Sequence, residues 1–185
     1  MKTVARSLSG DAMISSLMSY FRRVPDHRPH CHVKIKLSDF LMSGFALFAF
    51  KFPSLLKFDE HMRGLKRQSR LKPVYQMEDV PCDTQMRCVL DDVGPEHFAK
   101  PFKMLFSRLQ KSPYLKQFQF YKGNYLLCPD GSQYFSSEHI HCDSCLRKKT
   151  QEGGVRYHHQ MLAGCLVHPS LNTVIPLCPE PIRVQ

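Results

Sequence analysis

Two groups of side chains in this 185-residue chain have types and spacings suited to chemistry. The first is Cys142-Asp143-Ser144-Cys145, with His139 and His141 just before it and the pair His158-His159 further on. A Cys-x-x-Cys pair supplies two thiolates to tetrahedral Zn²⁺, and one or two of the nearby histidines, with His158 and His159 the named candidates, can complete the site. The same spacing also fits a loop with two free thiols or a redox-active pair. Arg147, Lys148 and Lys149 follow directly; their charge favours the thiolate form of either cysteine and can also contact DNA phosphates. The second group centres on Asp130, which follows the apolar run Tyr125-Leu126-Leu127-Cys128. A carboxylate fixed at the end of a central strand can bind a hard divalent cation together with carboxylates from other strands. One carboxylate makes no site, and Asp-Gly after a strand is also an ordinary turn. A third cluster, Asp26-His27-Arg28-Pro29-His30-Cys31-His32, carries metal-ligand types but reads better as a basic loop broken by proline.

The elements that position these residues fall into two parts. Residues 1–115 read as helical: Asp11 caps a helix carrying Met13, Ile14, Leu17, Met18 and Phe21, and Ser38 caps a second with Phe40, Leu41, Phe45, Leu47, Phe48 and Phe50. The second is apolar on so many sides that it is expected in the middle of a bundle, with Phe45, Phe48 and Phe102 as core rather than base-stacking residues. Pro53 interrupts that run, and Leu55, Leu56, Phe58 and Met62 resume a helical pattern. A basic stretch containing Lys66, Arg67, Arg70 and Lys72 follows, able to track DNA phosphates. Further helices are expected with Asp83 as a cap and after Gly94-Pro95. Residues 116–185 favour strands, expected at 118–128, 157–168 and 172–178, with a Gly123-Asn124 turn inside the first.

Composition narrows the class. There are 26 Lys and Arg against 16 Asp and Glu, and 43% of residues are hydrophobic, values of a globular chain rather than a disordered one. The basic excess lies in residues 1–115, with 19 Lys and Arg against 11 Asp and Glu, which suits a polyanionic partner. The most apolar stretch, residues 40–50, falls short of the roughly 20 residues that cross a bilayer, so membrane insertion is not expected. Residues 1–10 lack the apolar core of a secretory signal, so a cytoplasmic protein with most of its eight cysteines as free thiols is expected.

The segment Leu126-Leu127-Cys128-Pro129-Asp130-Gly131-Ser132-Gln133-Tyr134-Phe135-Ser136-Ser137, followed by Ile140-His141-Cys142-Asp143-Ser144-Cys145-Leu146 and Tyr157-His158-His159-Gln160-Met161-Leu162, resembles the start of the catalytic domain of bacterial insertion-sequence transposases of the DDE type. Upstream, Phe52-Pro53-Ser54-Leu55-Leu56-Lys57-Phe58-Asp59 and Val80-Pro81-Cys82-Asp83-Thr84-Gln85-Met86-Arg87 resemble the helical N-terminal region of that group. The likeness extends from about Ser15 to Ile182. It implies an α+β chain: a helical N-terminal bundle, then the first three strands of an incomplete ribonuclease H-like mixed sheet. In that family two Asp and one Glu hold two Mg²⁺ or Mn²⁺ ions for phosphodiester cleavage and strand transfer. Asp130 matches the first Asp, and the second Asp and the Glu have no counterpart here, so the resemblance implies a truncated, catalytically incomplete chain. Its expected partners are DNA at transposon ends, a full-length transposase, or a second copy of itself. A non-enzymatic zinc-stabilised or protein-interaction module is the alternative.

Overall fold

A computed structural model of the chain describes residues 7–29, 33–64, 71–151 and 153–183. Helix α1, Gly10–Phe21, begins at Ser9, whose hydroxyl accepts the Ala12 N–H at 3.3 Å. Ser9 therefore takes the capping place expected of Asp11, which lies in the first turn where its charge suits the helix dipole. Helix α2, Leu37–Ala49, starts after Lys36, so Ser38 lies buried within its first turn rather than capping it. Its far end is a Schellman turn: the Lys51 N–H bonds the Phe48 carbonyl at 3.0 Å and the Phe52 N–H bonds the Leu47 carbonyl at 3.1 Å. Lys51 adopts a φ of 57°, so the helix has already stopped before Pro53.

Helix α3, Leu55–Met62, is capped by Ser54, whose hydroxyl accepts the Lys57 N–H at 3.2 Å. Helix α4, Asp83–Leu90, follows Cys82 as its cap in place of the expected Asp83, which lies in the first turn, and the Gln85 side-chain oxygen reaches back to the Cys82 N–H at 3.3 Å. Helix α5 spans Glu96–Gln110.

Two compact units divide between His97 and Phe98. The first is built from α1 to α4 around Met18, Phe40, Met42, Ala46, Phe58 and Met86, each at most 2% exposed. Burying each of the Met and Phe side chains among them contributes about 1.5–3 kcal/mol. Helix α2 supplies six of the sixteen buried residues of this core, and its first seven residues, Leu37 to Ser43, are all buried. Toward the end of the helix only the side carrying Ala46 and Leu47 is buried, and Phe45 and Phe48 are 41% and 79% exposed, contrary to the expectation that they are core. Phe102, on α5, is half-buried.

The second unit holds a sheet whose spine is β3, Val155–Val167. Strand β1, Leu126–Ser137, pairs antiparallel with one edge of β3, from Leu126 opposite Val167 to Ser137 opposite Tyr157, with an irregularity between Gln133 and Phe135. Along the other edge lie β2 (Leu146–Lys149), β5 (Glu180–Ile182) and β4 (Ile175–Pro176), also antiparallel. A small core of Leu115, Phe118, Leu166 and Ile175 supports the sheet, with Phe106 and Leu109 of α5 packed against it.

This arrangement corrects several strand expectations. Every described pairing is antiparallel rather than mixed, since no crossover helix stands between strands to bring two of them parallel. Residues 118–128 do not form one strand: Leu115–Phe118 is a 3₁₀ helix, Gln119 bridges to Tyr125 around the turn at Gly123, and the strand proper starts at Leu126. Expected strand 172–178 is shorter and followed by a second piece at Glu180–Ile182. Asp130 consequently sits inside β1, opposite Ala163, on a strand whose only described partner is β3, and not at the end of a central strand.

Candidate metal centre

The β2–β3 hairpin brings the first chemical group together. Its turn closes through Thr150, whose N–H bonds the Gly154 carbonyl at 2.9 Å and whose hydroxyl accepts the Gly154 N–H at 2.9 Å. Gly153 takes a φ of 84° there, a conformation that a side chain resists. With Leu146 opposite His158, the residue before β2, Cys145, falls beside His159 at the edge of the sheet.

Chain leaving β1 is turned toward the same place by Ser137, whose hydroxyl accepts the His139 N–H at 3.1 Å and the Ile140 N–H at 2.9 Å. The tetrapeptide from Cys142 to Cys145 then folds into a tight turn, with the Cys145 N–H on the Cys142 carbonyl at 3.1 Å and the Cys142 N–H aimed at the Cys145 sulfur at 3.3 Å.

Three ligand atoms converge as a result. The two sulfurs are 3.8 Å apart, and His159 Nε2 lies 3.3 Å from each. A disulfide would hold the sulfurs at about 2.05 Å, so the pair is two separate thiols. Thiolates about 2.3 Å from a tetrahedral ion fall about 3.8 Å apart, and an imidazole nitrogen at about 2.0–2.1 Å falls about 3.5 Å from each sulfur. The observed triangle is close to that shape. Cys145 is 2% exposed while Cys142 is open to solvent. His159 is held by aromatic neighbours, with Tyr134 stacked at 5.8 Å and an interplanar angle of 11°, and Phe135 tilted at 5.6 Å. Among the described residues, Cys142, Cys145 and His159 are the one group of three or more such side chains able to share a metal ion.

His158, named with His159 from the sequence, is not in this group. It stands opposite Leu146 and Ser136 in register, and as the immediate neighbour of His159 on a strand its side chain leaves the other face of the sheet. Sequence reasoning also missed an aromatic stack beside the centre: the His141 ring lies on Tyr157 at 4.2 Å and 15°, and the Arg147 guanidinium lies 5.7 Å from the same ring. The alternation Tyr157, His159 on one face of β3 was the available signal for it.

The other sequence-named residues are placed as follows. Arg147, Lys148 and Lys149 form the exposed strand β2, with Lys148 opposite Arg156. Arg156 in turn pairs with Glu138 at 2.7 Å, and that guanidinium holds the Glu138 carboxyl below its ordinary range. Lys72 is paired with Asp79 at 3.1 Å. Lys66, Arg67 and Arg70 lie outside the described residues, as do His30, Cys31 and His32. Asp130 is exposed and belongs to no group of three metal-binding side chains among the described residues. None of the described helices is long and apolar enough to cross a membrane.

Comparison of the chain with protein-family models, with curated proteins and with solved structures found no match.

Proposed function

We propose that the chain is a DNA-binding protein of the DDE transposase type in which a structural Zn²⁺ at Cys142, Cys145 and His159 fixes a basic β-hairpin against the sheet. The observation that carries this reading is the convergence of those three side chains directly before Arg147, Lys148 and Lys149. An ion held there would tie the segment between β1 and β2 to β3, so that the cations of β2 project from a rigid edge rather than a free loop. Softness argues for zinc: two thiolates and an imidazole suit Zn²⁺ and suit Mg²⁺ poorly.

Charge supports the same assignment. Divided between His97 and Phe98, the second unit holds 11 Lys and Arg against 5 Asp and Glu, with Lys100, Lys103, Arg108 and Lys111 at α5 and its end and Arg147, Lys148 and Lys149 on β2. The resemblance to DDE transposases supports DNA, at transposon ends, as the polyanion. Asp130 alone assembles no two-metal site, and this chain by itself is expected to cut and join no DNA.

Fluorescence anisotropy with labelled duplex DNA tests the reading. Binding that weakens steeply between about 50 and 200 mM salt is expected, because phosphate contacts release counterions. The absence of DNA binding in the zinc-loaded protein at the lower salt concentration would overturn it and leave a zinc-stabilised interaction module.

A further inference from the structure

Three ligand atoms leave a four-coordinate ion one position short. We propose that His141 supplies the fourth ligand, making the centre a closed Cys₂His₂ site; this rests on the zinc reading above and extends it. His141 immediately precedes Cys142, so the turn that delivers the first thiolate delivers its backbone as well. Its ring lies on Tyr157 at 4.2 Å. Tyr157 is two residues before His159 on β3 and shares its face, about 6.7 Å away along the strand. The imidazole is therefore already on the side of the sheet where His159 meets the two sulfurs, and a side-chain rotation away from Tyr157 carries it toward the ion.

Neighbouring groups are worse placed. His158 faces the opposite side of the sheet, and Glu138 is engaged by Arg156 at 2.7 Å. Asp143 lies inside the turn whose two ends grip the ion, where the Cys145 N–H to Cys142 carbonyl bond closes the chain beneath it. His139 has its backbone N–H committed to Ser137 at 3.1 Å, where the chain is still leaving β1. Charge fits too: two thiolates and two neutral imidazoles offset the charge of Zn²⁺, whereas a third anionic ligand would leave the ion site negative. A closed site is a structural one, in contrast to the three-ligand sites that keep a position for water and act as catalysts.

Cobalt substitution reads the coordination directly, since tetrahedral Co²⁺ has intense visible bands where Zn²⁺ has none. The full chain is stripped, loaded with Co²⁺, and compared with His141→Ala, His139→Ala, His158→Ala and Cys145→Ser. The expected result is one tetrahedral Co²⁺ per chain, unaltered in the His139 and His158 variants. His141→Ala should keep the ion but bind it at least about tenfold more weakly, the scale on which even outer partners of a metal site act. Its bands should shift, respond to added azide, and return to the original spectrum with free imidazole. A His141→Ala protein with the spectrum and affinity of the parent, while Cys145→Ser loses both, would overturn the fourth-ligand assignment alone. Parent protein that binds no Co²⁺, or binds it equally well after Cys145→Ser, would overturn the metal centre itself.

Discussion

Cys145 is the residue on which the proposed metal centre turns, because it is both a sulfur of the triangle and almost wholly buried. Cys145→Ser should release bound zinc and lower the melting temperature, and a chelator should lower the melting temperature of the parent protein but not of the variant. An unchanged response to chelator in the variant would remove Cys145 from the site. The pair Cys142 and Cys145 was legible in the sequence because ligand spacing within one turn is a local property. The choice of His159 over His158 was not, since it depends on which face of β3 the chain from β1 and β2 approaches, and that is set by register. Asp39 offers a second test at this scale. Burial raises its carboxyl above 3.8, opposed by the N–H groups of Asp79 and Glu78 at 3.0 and 3.2 Å. The folded chain thus holds this proton more tightly than the unfolded one, so the stability Asp39 contributes is complete below the unfolded carboxyl range and is lost as pH rises through the folded value. Asp39→Asn retains an acceptor for both amides and carries no charge. Its stability relative to the parent should therefore rise as pH climbs from below 3.8 toward neutrality, measured by urea melts at each pH. Asp39→Ala leaves both amides without that acceptor and should lose about 1–3 kcal/mol. An Asn variant that falls further behind the parent with increasing pH would contradict the burial argument.

Helix ends are where element-level physics is most exposed in this chain. Lys51 closes α2 in a left-handed conformation, φ 57°, which costs a residue with a side chain roughly 1–2 kcal/mol relative to one that adopts it freely. Lys51→Gly should therefore stabilise the first unit by about 1 kcal/mol, less what glycine returns through the greater freedom of the unfolded chain. A lower denaturation midpoint for this variant would mean that the lysine side chain holds something the Schellman turn alone does not explain. Ser54→Ala should act in the opposite sense, removing the hydroxyl that accepts the Lys57 N–H and costing about 1 kcal/mol. Helix existence in the first unit was largely written in apolar spacing: α1, α3, α4 and α5 fall where Met18, Phe58, Met86 and Phe106 recur with their neighbours. What spacing could not settle is which apolar side of a helix finds a partner. Helix α2 is apolar nearly all round, yet Leu47 is 5% exposed and Phe48 79%. Strands were harder still, because the Pro129-Asp130-Gly131 sequence reads as a turn locally, whereas pairing with Gly164, Ala163 and Leu162 holds it extended.

At the scale of the whole chain, electrostatics and the metal centre make a joint claim about DNA. The strand carrying Arg147, Lys148 and Lys149 is exposed and follows the metal turn without a break, so its cations should meet phosphates from fixed positions only when the ion is bound. Each phosphate that the protein ceases to neutralise reduces the slope of log affinity against log salt by about 1. Replacing all three cations with Ala should therefore weaken DNA binding and flatten that slope by up to about 3, similarly for unrelated DNA sequences, because phosphates carry no sequence information. Removing zinc from the parent should weaken binding in the same direction through loss of the fixed edge, with the cations still present. Charge reversal at Lys66, Arg67 and Arg70 tests the other basic segment independently, and Asp130→Ala should leave affinity nearly unchanged. The two footprints separate cleanly: if the triple Ala variant keeps the parent slope while reversal at Lys66, Arg67 and Arg70 abolishes binding, the helical unit holds the DNA and the zinc-pinned hairpin serves only the stability of its sheet.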